Sequence, residues 1–65
     1  MYSRGDRVFV YVRQETHDSL RKATVIDHQN RQEYPVFVAL DEPIDGDREF
    51  RAREGNVFPM LKDDA

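Results

Sequence analysis

The chain has no cysteine. Disulfide frameworks, thiolate metal sites and cysteine nucleophiles are therefore excluded together, and the composition fits a reducing compartment. It also lacks any apolar run near the roughly 18 residues a membrane-spanning helix needs, and its first residues carry no basic-then-apolar signal pattern. Helical periodicity is missing too, since apolar residues alternate rather than recur every three to four positions. These absences point to a small cytoplasmic all-β protein without a membrane segment. With 65 residues there is room for one domain, which buries only about 60% of its unfolded surface. The chain is 38% hydrophobic and 35% charged, enough apolar content to set it apart from disordered sequences.

The charge is unevenly spread. The net value is −3, but residues 1–31 carry six Lys or Arg against four Asp or Glu, whereas residues 32–65 carry four against nine. Much of the acidity falls at Asp41, Glu42, Asp45, Asp47 and Glu49, opposed only by Arg48. Such a tip repels phosphate.

Five short strands are expected. The first runs from about Arg7 to Arg13, started by the turn at Arg4-Gly5-Asp6. That tripeptide also spells a cell-adhesion motif, but its physical role is the turn. Polar residues Gln14 to Lys22 read as a long loop, followed by a second strand near Ala23 to His28, where β-branched Thr24, Val25 and Ile26 cluster. After a turn at Asn30 the third strand is Val36 to Leu40, with Pro35 where a missing N–H costs little. Glu42 to Asp47 reads as a turn because Pro43 fixes φ and Asp45-Gly46 tolerates the left-handed region. Phe50 to Arg53 and Val57 to Leu61 complete the set. The domain is expected over residues 1–61, with Lys62 to Ala65 as a frayed tail.

Five strands with no helix close a core most economically as a small SH3-like barrel. The expected inward set is Val8, Val10, Val12, Val25, Val36, Val38, Leu40, Phe50, Val57 and Met60, with Ala39 and Ala52 as fillers. Phe9, Tyr11 and Phe37 have the opposite parity from the valines of their own strands. If those strands pair, the three rings form an aromatic patch outside the main core, either a partner surface or a second mini-core under a covering segment.

A resemblance rests on Arg-Gly-x-x-Val at residues 4–8, Thr24-Val25-Ile26-Asp27, Tyr34-Pro35-Val36-x-Val38-x-x-Asp41, and Phe50 with Ala52 and Glu54. This pattern resembles the SH3-like barrel subunit of photosystem I, the PsaE family, and more broadly the electron-transport accessory superfamily. The resemblance implies a non-catalytic barrel that docks other subunits. The ferredoxin partner of the photosystem family is not carried over, because Phe9 stands where that family tends to show a basic residue and the segment after Asp41 is acidic.

Catalytic and metal chemistry find little support. His17 and His28 lie in different segments, and nothing in the spacing supplies the third converging ligand a metal needs. Asp41-x-x-x-Asp45-Gly46 begins like a calcium loop, but Pro43 and Ala52 occupy its third and twelfth positions, where oxygen ligands are required. Ser3, Thr16, Ser19 and Thr24 have no His and Asp constellation around them. No catalytic residue, metal or cofactor is therefore expected.

The expected function is a non-enzymatic protein-interaction module, an accessory or regulatory subunit docking on a larger complex. Its expected contact residues are Phe9, Tyr11 and Phe37, with Tyr34 and the basic loop at Arg21 and Lys22 setting orientation. The alternative is a nucleic-acid-binding barrel using Arg7, Arg13, Arg21, Lys22, Arg31, Arg51 and Arg53 with Phe9 and Tyr11 as stacking platforms. An acidic DNA-mimic inhibitor is a third reading, from the carboxylates of the second half.

Overall fold

The structure, a computed structural model, describes residues 2–14 and 18–60. The expectations for His17 and for the tail at Lys62 to Ala65 lie outside those residues. Five antiparallel strands form one sheet: β1 (Arg7–Arg13), β2 (Asp18–His28), β3 (Val36–Ile44), β4 (Asp47–Ala52) and β5 (Val57–Pro59), with a 3-10 turn at Glu54–Asn56 before β5. Their order is β4-β3-β2-β1-β5, so β4 and β5 are the two edges. The protein is all-β.

Strand parity decides the two faces. Val8, Val10 and Val12 are buried while Phe9 and Tyr11 are half-buried, as alternation along a pleated strand requires. The valines meet Ala23, Val25, Val36, Val38, Leu40, Ala52 and Val57 in a single cluster. Phe50 is half-buried and packs on the margin of this cluster with Ile44 and Tyr2, rather than at its centre. Met60 is likewise half-buried, and Ala39 falls on the other face, opposite Thr24. Ala23, absent from the expected inward set, is fully buried.

The segment from Gln14 to Lys22 is not one loop. β2 begins at Asp18, and Asp18 to Lys22 pair residue by residue with Phe9 to Arg13 of β1. Polar sequence is compatible with a strand where the ladder to a well-formed neighbour supplies the order. The other ends also differ: β3 extends to Ile44, β4 begins at Asp47, and β5 stops at Pro59.

Two turns fix the path of the chain. Gly5 has φ +94°, and the amide of Asp6 donates to the Ser3 carbonyl at 3.0 Å, closing a turn of the kind that needs glycine at its third position. The Gly5 amide then donates to the Val25 carbonyl at 2.8 Å, tying the turn to β2. Asp45 and Gly46, with φ of 53° and 84°, connect β3 to β4 as a two-residue hairpin loop whose twist matches the strands.

Just before that loop the β3–β4 register shifts between Ala39 and Ile44. Pro43, which has no N–H to offer a ladder, sits within the irregularity. The Arg48 guanidinium donates to the backbone carbonyls of Asp41 at 2.8 Å and Leu40 at 3.3 Å, satisfying acceptors there.

Nothing lies within 4 Å of a Cβ added at Gly46, so Gly46→Ala tests backbone conformation alone. The left-handed penalty predicts a loss of about 1–2 kcal/mol, read as a lowered urea midpoint with an unchanged m-value.

Candidate docking surface

The outer face of β2-β1-β5 is where large apolar side chains meet solvent. Phe9 lies opposite Lys22 on one side and Phe58 on the other, and Tyr11 lies opposite Leu20. Directly opposed side chains on one face sit about 5 Å apart at Cβ, so these residues are immediate neighbours. Leu20 is 57% exposed and Phe58 44%. Between them Tyr11, Leu20 and Phe58, with Asp18 and Ser19, line an open hollow of about 480 Å³.

Tyr11 is held in place by its hydroxyl, which donates to the Asp18 carboxylate at 2.6 Å. That hydrogen bond, ahead of desolvation and the carboxylate's charge, pushes the Tyr11 phenol above its ordinary pKa, so it stays neutral. The ring thus presents an apolar body with a fixed polar tip.

Phe37 does not join this patch. β1 and β3 are not neighbours, since β2 lies between them, so the pairing that would bring Phe37 beside Phe9 and Tyr11 is absent. Phe37 lies opposite Asp27, five positions along β2 from Lys22, the partner of Phe9. That offset is about 15 Å along the strand. The Phe37 ring instead carries the Arg51 guanidinium, 4.6 Å from its centroid.

Arg21 and Lys22 are strand residues rather than a basic loop, and alternation sends them to opposite faces. Lys22 flanks Phe9 on the outer face. Arg21 donates to Ser19 Oγ at 3.0 Å and to the Gln14 side-chain oxygen at 3.3 Å. Tyr34 lies in the connection between β2 and β3, 44% exposed, beneath the Arg53 guanidinium at 5.1 Å. Of the six sequence-selected contact residues, then, Phe9, Tyr11 and Lys22 share one surface, and Arg21, Phe37 and Tyr34 do not belong to it. Leu20 and Phe58, which sequence reasoning did not single out, complete that surface.

Its rim is charged. Arg7 donates to both Asp41 carboxylate oxygens at 2.7 Å and to Thr24 Oγ1 at 2.8 Å, bracing β1, β2 and β3 across the outer face. The hydrogen bond from Arg7 is the chief cause holding the Asp41 carboxyl below its ordinary 3.8. A depressed carboxyl stabilises the fold fully above its unfolded pKa, and the contribution is lost as pH falls through the folded value. Asp41→Asn is therefore expected to lower the urea midpoint at pH 7 and to converge on the wild type only as pH falls below 3.8 and through the lowered folded value. The difference at pH 7 is expected to be small, because both side chains are about two-fifths exposed, 44% for Arg7 and 40% for Asp41.

The chain matches no family model, no curated protein and no solved structure. Among the described residues, no group of three or more His, Asp or Glu is placed to hold a metal ion, and no helix is long and apolar enough to cross a membrane. The surface itself carries the functional argument. It offers an apolar centre, a fixed phenol and ionic edges.

Proposed function

We propose that the chain is a small SH3-like barrel that acts as a non-enzymatic protein-docking module, an accessory or regulatory subunit seated on a larger protein. The strand order β4-β3-β2-β1-β5, with a 3-10 turn leading into β5, supports the barrel reading. The single observation that carries the docking reading is the exposure of Leu20 and Phe58 on either side of the half-buried Phe9 and Tyr11. A contiguous patch of this kind, rimmed by Lys22, Asp18 and the Arg7–Asp41 pair, has the anatomy of an interface centre.

Nucleic acid is the second reading, favoured by Arg13, Arg51 and Arg53 around Tyr11, Tyr34 and Phe50. The net charge of −3 and the acidic β3–β4 hairpin work against it, since neutralised phosphates supply most non-specific affinity. The two readings separate on substitution. Leu20→Ser with Phe58→Ser is expected to abolish protein docking and to leave any salt-dependent oligonucleotide binding unchanged; the reverse pattern would sink the docking reading.

A further inference from the structure

A second hollow, of about 490 Å³, runs along β4. Phe50, Arg51, Ala52 and Arg53 line it in succession, with Tyr11 and Arg13 of β1 opposite and Tyr34 and Asn56 also contributing. Consecutive residues of an extended chain send side chains to alternate faces, so four in a row line one hollow only where the strand's edge faces it. β4 is an edge strand, paired with β3 alone. Its outer row of backbone N–H and C=O groups is a template for another strand.

The charge of this seam runs against that of the chain. Arg13, Arg51 and Arg53 surround it, although the whole chain is at −3. Arg51 is stacked on Phe37 and Arg53 on Tyr34, so both guanidinium planes are positioned before anything binds. Arg53 also reaches Glu33 at 3.0 Å and remains 57% exposed. Arg51 and Arg53 are two residues apart, which in an extended chain is about 6.6 Å. Carboxylates at alternate positions of a paired strand have the same spacing.

We propose that the seam between β4 and the end of β1 binds an extended acidic peptide, which adds to the free edge of β4 and sets carboxylates at alternate positions on Arg51 and Arg53, with Arg13 facing them across the hollow. Strand addition supplies main-chain hydrogen bonds, and the arginine fork supplies selection for charge. A single-stranded nucleic acid shares the charge but has no use for the backbone edge. A continuous polyanion would also run on to Asp47 and Glu49, which line the adjoining hollow with Phe50 and Arg13. A short peptide with its carboxylates at one end avoids them.

The proposal is independent of docking on the outer face, although Tyr11 borders both surfaces. The test is fluorescence polarisation of the intact chain with a labelled hexapeptide, Glu-Val-Glu-Val-Thr-Thr, at low and high salt. Expected is saturable binding that weakens at least tenfold in Arg51→Gln/Arg53→Gln, falls with salt, and is unchanged in Leu20→Ser/Phe58→Ser. A form of the peptide N-methylated on the edge that would pair should bind at least tenfold more weakly. Circular dichroism of both double variants is expected to match the wild type, because all four side chains are exposed. Absence of saturable binding overturns the proposal. So does equal binding of the lysine counterpart or of the N-methylated peptide, or binding of an oligo-dT octamer in preference to the acidic peptide.

Discussion

Val38→Asp should leave the chain unfolded in buffer at pH 7 and 25 °C. Val38 has no exposed surface and sits on β3 between Val25 of β2 and Phe50 of β4. Among the described residues no polar or charged residue is buried, so the new carboxylate meets no ready partner in the cluster. Leaving it there costs several kcal/mol, on top of roughly 1.5–3 kcal/mol of lost valine burial. A 65-residue domain is stable by only about 3–10 kcal/mol.

Val38→Ala gives the graded version of the same experiment, losing about 2 kcal/mol. It should keep a cooperative urea transition with a midpoint lowered by about 1–2 M. A folded Val38→Asp protein, read by circular dichroism and urea titration, would contradict the placement of the core on this face.

The second large effect is on docking rather than on stability. Leu20 is 57% and Phe58 44% exposed, and exposed substitutions usually move stability by no more than about 0.5 kcal/mol. If they anchor a partner, each truncation should cost at least about 2 kcal/mol of binding, roughly 30-fold, and the pair together should reduce docking below detection. Phe9 and Tyr11 make a poorer test although they occupy the same surface. Both are half-buried, and the Tyr11 hydroxyl anchors Asp18 at the start of β2, so replacing them mixes lost contacts with lost structure. The expected signature is therefore a split: Leu20→Ser/Phe58→Ser loses docking and keeps its urea midpoint, whereas Phe9→Ser/Tyr11→Ser loses both.

The strand bearing Phe9 and Tyr11 was legible because three valines alternate with residues of another kind, and alternation alone fixes both its limits and its faces. Gly5 and Asp45-Gly46 were legible because positive φ admits few residue types. The first half of β2 was not. Asp18 to Lys22 have no apolar alternation, and only the ladder to β1 makes them a strand.

The separation of Phe37 from Phe9 was hidden for another reason. Parity tells which face a ring occupies but not which strands are neighbours, and here β2 intervenes. Leu20 was missed because it is a single apolar residue in a polar stretch and Phe58 because it lies in an apolar run, Val57 to Leu61, with no alternation to assign its face; only the register of β2-β1-β5 gathers them around Phe9 and Tyr11. The ring contacts that position Arg51 and Arg53 join parts of the chain far apart in sequence, so no local pattern announces them.

Docking through the outer face is the central claim, and its most direct test is photo-crosslinking from position 20. A benzophenone side chain in place of Leu20, irradiated in a lysate of the cells that make the protein, should give a discrete nuclease-resistant protein adduct that disappears on adding Phe58→Ser and persists with Arg51→Gln/Arg53→Gln. No adduct from position 20, while the same probe at Glu49 on the acidic hairpin yields one, would contradict it.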